Sequence, residues 1–139
     1  MSPLSWRASA SIATTATPEA IWHRWTEVEL WPADDPDCRW ATVDGEYRVG
    51  ATGTVKAAGP ASHFRVTELD PLRRMVFEIA VPLGTLRFPH TVEPLAEGML
   101  LTHAVEITGP LAQVYGAVIG QGIRRGLPEV VRLVATHAL

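Results

Sequence analysis

A single cysteine, Cys38, in 139 residues leaves no partner for an internal disulfide and falls short of a thiolate metal site. No apolar run is long enough to span a bilayer. Met1-Ser2-Pro3-Leu4-Ser5-Trp6-Arg7 lacks the charged start and apolar stretch of a secretory leader, so a reducing, cytoplasmic setting is the expectation. Basic charge is also scarce. Twelve Lys and Arg stand against 15 Asp and Glu, a net charge of -3, and only Arg73-Arg74 and Arg124-Arg125 are adjacent. Nothing in that distribution attracts a nucleic-acid backbone. The zinc spacings HExxH and CxxC, the nucleophile elbow GxSxG, the phosphate-binding glycine loop and the dinucleotide fingerprint are all missing, so neither a metal nor a cofactor is expected.

What is present describes an ordinary globular chain, 47% hydrophobic and 19% charged, of the length that builds one domain over residues 1–139. Four of its five tryptophans (Trp22, Trp25, Trp31 and Trp40) cluster early, where such rings fill volume or line a cavity.

Weak alternation from Trp6 to Thr14 predicts a first strand. Thr17-Pro18-Glu19 carries a capping hydroxyl, a proline with first-turn geometry and an acid that complements the helix dipole, so a helix starts there with Ile21, Trp22 and Trp25 on its inner face. Pro32 and Pro36 bracket Ala33-Asp34-Asp35, so a second helical turn over Glu27 to Trp31 is expected to stop there and the chain to turn. From Cys38, regular Gly and Pro punctuation predicts consecutive antiparallel strands near 38–44, 51–58, 62–69, 74–81, 86–94 and 99–108, seven in all with the first.

Beyond Pro110 the apolar positions Leu111, Val114, Tyr115, Val118, Ile119, Ile123, Leu127, Val130, Val131 and Val134 follow helical spacing and predict a long amphipathic helix. Its glycines, Gly116, Gly120, Gly122 and Gly126, each cost about 1 kcal/mol relative to alanine in an exposed helix. Close backbone approach to the sheet and free volume for a guest explain them equally well. The expected architecture is an α+β helix-grip fold: a curved seven-stranded antiparallel sheet around a long C-terminal helix, with two short helices after strand one.

This order resembles the START-related lipid-transfer (SRPBCC) superfamily, in particular its polyketide cyclase/dehydrase-like members. The resemblance spans almost the whole chain. It rests on Ala16-Thr17-Pro18-Glu19-Ala20-Ile21-Trp22, Leu30-Trp31-Pro32, Phe64-Arg65-Val66-Thr67-Glu68-Leu69-Asp70-Pro71 and Ile107-Thr108-Gly109-Pro110-Leu111, taken in sequence. It implies an elongated cavity between sheet and helix for an apolar or aromatic molecule. It also implies no shared catalytic motif: some similar proteins bind or carry a ligand, others assist cyclisation, aromatisation or dehydration of polyketides.

Strand parity, independent of any resemblance, singles out two histidines. Leu86, Phe88, His90 and Val92 share one face, and Met99, Leu101, His103, Val105 and Ile107 share the next strand's. A hairpin around Leu95 to Gly98 that pairs 94 with 99 also pairs 90 with 103. Two adjacent imidazoles on an apolar wall are candidates to orient a ligand or to act as general acid and base. By the same parity His63, Arg65 and Glu78 face solvent.

The expected ligand wall comprises Trp22, Trp25, Trp40, Phe77, Phe88, His90, His103, Tyr115 and Ile119, with Tyr115 as a third polar group. Binding or transport of a small hydrophobic or aromatic, lipid- or polyketide-like molecule is the preferred function. The alternative is a cyclase or dehydratase using His90 or His103, and a third class is an interaction domain with a filled core. The oligomeric state stays open, a homodimer included.

Overall fold

The structure, a computed structural model, describes residues 4–139. The chain begins with strand β1 (Ser5–Thr14), followed by helix α1 (Pro18–Thr26), a 3₁₀ turn (Val28–Leu30) and the one-turn helix α2 (Trp31–Asp34). Six strands follow as a meander: β2 (Trp40–Val43), β3 (Thr52–Lys56), β4 (Ser62–Asp70), β5 (Arg74–Val81), β6 (Gly84–Pro94) and β7 (Met99–Thr108). The C-terminal helical run comprises α3 (Ala112–Tyr115), a π-helical turn (Gly116–Gly120) and α4 (Gln121–His137).

The seven strands form one antiparallel sheet in the order β1-β7-β6-β5-β4-β3-β2. All seven strands lie where alternation and turn residues predict, within about two residues. β2 is shorter than expected, beginning at Trp40, and the chain does not break off its helix before Pro32, which sits in the first turn of α2 where a missing N–H costs nothing. The start of α1 follows its local chemistry: the Thr17 hydroxyl accepts from the Ala20 N–H at 3.1 Å, and Pro18 occupies the first helical position, whose N–H would be unpaired in any case.

One face of the sheet is charged. In the register of β1, β7, β6, β5 and β4, Arg7, Glu106, Arg87, Glu78 and Arg65 lie in a transverse row of alternating sign. Arg87 reaches Glu106 at 2.8 Å and Glu78 at 3.5 Å. This outer face also holds His63, which is exposed as parity predicts.

The inner face is apolar and meets the helices. Its main core joins Ile21, Trp25 and Val28 to Phe64, Val66, Met75, Val92 and Leu101 and to Val131 and Val134 of α4. A second cluster places Ala112 and Leu127 on Leu86, Val105 and Ile107, with Trp6 beside them.

The helical run departs from its expected stripe in its first half. Leu127, Val131 and Val134 are buried, but Val114, Val118 and Ile119 point outward, Val118 with 74% of its surface exposed. Gly116 and Gly120 take the inner positions instead. An added Cβ would fall 2.6 Å from the Trp6 ring at Gly116 and 2.7 Å from it at Gly120, so these glycines let the helix lie flat on the indole. Gly122, by contrast, faces open space, and an added Cβ at Gly126 would make only an ordinary 3.5 Å contact with Asp37.

Candidate functional site

The β6–β7 hairpin has the register that the Leu95–Gly98 turn predicts, so His90 and His103 are direct cross-strand partners. Their ring centroids are 4.3 Å apart on the inner face. Trp25, delivered from α1, stands edge-on to both rings, at 5.5 Å from His90 and 5.8 Å from His103. Ala10 of β1 opposes His103 on the other side, leaving room for the imidazole.

Hydrogen bonds assign the tautomers. The indole N–H of Trp25 can only donate, and it reaches Nε2 of His103 at 3.0 Å, so that nitrogen accepts and the neutral ring carries its proton on Nδ1. The Phe88 carbonyl can only accept, so Nδ1–H of His90 donates to it at 2.8 Å and Nε2 of the neutral ring keeps the lone pair. Both rings are held neutral near pH 7. Burial lowers the His90 pKa from 6.5 to about 4 against the opposing pull of the Phe88 and Met75 carbonyls, with Arg74 adding a little repulsion. For His103, burial and then repulsion from His90 push the pKa well below its ordinary value.

Aromatic rings continue from the histidines along the inner face. Phe77 lies 5.7 Å from His90, stacks on Phe88 at 4.8 Å and stacks on Trp31 at 5.1 Å. Trp22 meets Trp25 edge-on at 6.0 Å. His103 is 6% exposed and Trp25 is sealed, whereas Trp22, Trp31, Phe88 and His90 stay half-buried. His103 and Trp25 are thus sealed, whereas part of the surface of Trp31, Phe88 and His90 reaches solvent.

Three expected wall residues lie elsewhere. Trp40 starts the edge strand β2 with its side chain on the face opposite buried Ala41 and is 44% exposed. Ile119 is 37% exposed because Gly116 and Gly120, not the branched residues, face the sheet. Tyr115 donates its hydroxyl to the Pro82 carbonyl at 2.7 Å, which ties α3 to the β5–β6 turn and takes that hydroxyl away from the histidines. Two open clefts flank β1, one between Arg7, Ser9 and Arg124 and the other between Ile12, Glu97 and Arg132; neither includes a histidine.

Sequence reasoning missed a polar clasp behind the aromatic cluster. The carboxylate of Asp34, 4% exposed, receives both Nε (2.9 Å) and Nη2 (2.7 Å) of Arg24, and Nδ1 of His137 lies 2.7 Å from its Oδ1. It locks α1, α2 and the last turn of α4 together. No local signal marks it, since Asp34 and His137 are 103 residues apart. Among the described residues no group of three or more His, Cys, Asp or Glu could hold a metal ion, and no helix is long and apolar enough to cross a membrane.

A family profile described as polyketide cyclase/dehydrase and lipid transport matches residues 5–137. No curated protein matches the chain in sequence. Among solved structures, the di-domain ARO/CYC StfQ from the steffimycin biosynthetic pathway superposes with a TM-score of 0.78 at 13% identity, covering 98% of this chain; the chain spans only 51% of StfQ. Ara h 8.0201 is similar over 96% of this chain and 97% of its own, with a TM-score of 0.75 and 11% identity. Truncated norcoclaurine synthase from Thalictrum flavum is similar over 94% and 93%, with a TM-score of 0.68 and 14% identity. At such identities the likeness is one of fold, the helix-grip arrangement of sheet and C-terminal helix.

Proposed function

The chain belongs to the polyketide cyclase/dehydrase and lipid transport family, and from that premise we propose that it binds a small apolar or aromatic molecule against the Trp31–Phe77–Phe88 flank of the sheet. One observation carries this reading: a stack of three aromatic rings, partly exposed at Trp31 and Phe88, runs into a neutral imidazole. Flat apolar rings offer a guest contact area, while a sparse set of polar groups fixes its orientation. His90 fills the polar role through Nε2, accepting from a ligand hydroxyl. His103 is already engaged by Trp25 and acts behind it.

Carriage is favoured over catalysis by the basicity of the site. A general base works best with a pKa near the operating pH. Burial lowers the His90 pKa to about 4, below that range, so Nε2 stays unprotonated and able to accept but is a poor proton abstractor. The cyclase or dehydratase alternative requires turnover that falls when His90 or His103 is replaced by alanine.

The binding reading is tested by titrating fluorene, a rigid tricyclic hydrocarbon, while following tryptophan emission. Saturable quenching that weakens in Phe88→Ala supports it. A chain that folds normally yet shows no saturable quenching, or a Phe88→Ala variant that binds as the parent does, rejects it.

A further inference from the structure

Tyr47 sits in the loop between β2 and β3, where its neighbours Glu46, Arg48 and Val49 are exposed. The loop is held in place. Asp44 N–H donates to the Thr52 carbonyl and Gly50 N–H to the Val66 carbonyl, both at 2.8 Å, and Ala51 N–H donates to the Arg48 carbonyl at 2.9 Å. Gly45 and Gly50 adopt φ values of 78° and 90°, which suit glycine. So anchored, the loop turns Tyr47 inward, edge-on to Trp31 at 6.4 Å.

The phenol donates to Sδ of Met75 at 3.3 Å, and a thioether is a weak acceptor. Burial pushes the Tyr47 pKa up, so the hydroxyl stays a donor at any physiological pH. Met75 is the cross-strand partner of His90. A donor held by a poor acceptor and an imidazole acceptor thus border one end of the same aromatic wall.

We propose that Tyr47 is a ligand-binding residue that donates its hydroxyl to an oxygen acceptor on an aromatic guest, a ring carbonyl above all. The inference rests on the Trp31–Phe77–Phe88 flank being the binding wall. Exchanging sulfur for a carbonyl oxygen improves the hydrogen bond without stripping Tyr47 of a strong partner, so the site selects an oxygenated ring system over its bare hydrocarbon.

Fluorene and 9-fluorenone share one tricyclic skeleton and differ by a single carbonyl. The full chain and its Tyr47→Phe variant are titrated with each, by tryptophan quenching and calorimetry. The parent should prefer fluorenone by about three- to tenfold, and Tyr47→Phe should bring the ratio near one with fluorene affinity unchanged. A purely structural hydroxyl would lower the melting temperature of Tyr47→Phe and leave the ratio alone, which overturns the proposal. So does equal binding of both probes by the parent, although the wall then stands. If neither probe binds, the wall reading falls and Tyr47 falls with it.

Discussion

Trp25 and His103 are joined by a buried hydrogen bond, indole N–H to imidazole Nε2 at 3.0 Å, across 78 residues of sequence. It ties α1 to the centre of β7 and determines which nitrogen of His103 carries the proton. His90, the neighbour across the strand pair, is the more exposed of the two imidazoles.

Trp25→Phe keeps most of the ring volume and removes the donor. The stranded acceptor in a closed core should cost about 1–3 kcal/mol in urea unfolding. In the folded variant, the nitrogen shifts of His103 should move as its tautomer loses its lock, while those of His90, held by the Phe88 carbonyl, stay in place.

The two histidines make stability depend on pH. Unfolded histidine takes up a proton near pH 6.5, whereas folded His90 resists protonation until about pH 4. Between those values the unfolded state binds more protons, so stability present above pH 6.5 is lost as the pH falls. His90 alone accounts for about 3 kcal/mol of that loss. Urea midpoints measured across the interval should decline steadily, with a shallower slope in His90→Phe; a flat profile would refute the neutral assignment.

Gly116 and Gly120 should respond to alanine in the opposite direction from Gly122. At the first two, a methyl group collides with Trp6, and a loss of about 1–3 kcal/mol is expected despite the better helix propensity. Gly122 faces open space, so Gly122→Ala should gain about 1 kcal/mol. Thermal melts of the three variants give the signs directly.

Breaking the clasp unevenly should be worse than removing it. Arg24→Ala leaves the buried Asp34 carboxylate with His137 alone and should cost about 3 kcal/mol or more. The double variant Arg24→Met, Asp34→Leu should recover a large part of that loss in denaturant titrations. Recovery of nothing would show that the carboxylate is not the source of the cost.

Period-two alternation and turn residues made the sheet legible because each strand's pattern is local. Even the pairing of His90 with His103 follows from one four-residue turn, Leu95–Gly98, closed by the Leu95 N–H to the Gly98 carbonyl at 2.9 Å. The helix was harder to read. Its apolar period placed Val114, Val118 and Ile119 inward, but the surface it meets there is the flat face of Trp6, which only Gly116 and Gly120 can approach. Trp40 drew attention by its size, although its strand position turns it toward solvent. Tyr47 and the Arg24–Asp34–His137 clasp were illegible for another reason: each depends on partners far away in the chain, Met75 for the first and the final helical turn for the second.

The sheet order also governs when the molecule can assemble. β2 to β7 follow one another as a meander and can pair as each hairpin is completed, whereas β1 finds its ladder only on β7, with Ser5 opposite Thr108 and Thr14 opposite Met99. A chain emerging from the ribosome therefore carries its first strand unpaired through most of synthesis. Closing that long loop is the slow, entropically costly step. Once it closes, Trp6 gains the ring-sized bed of glycines on the helix that follows, so the earliest strand and the latest helix complete the fold together.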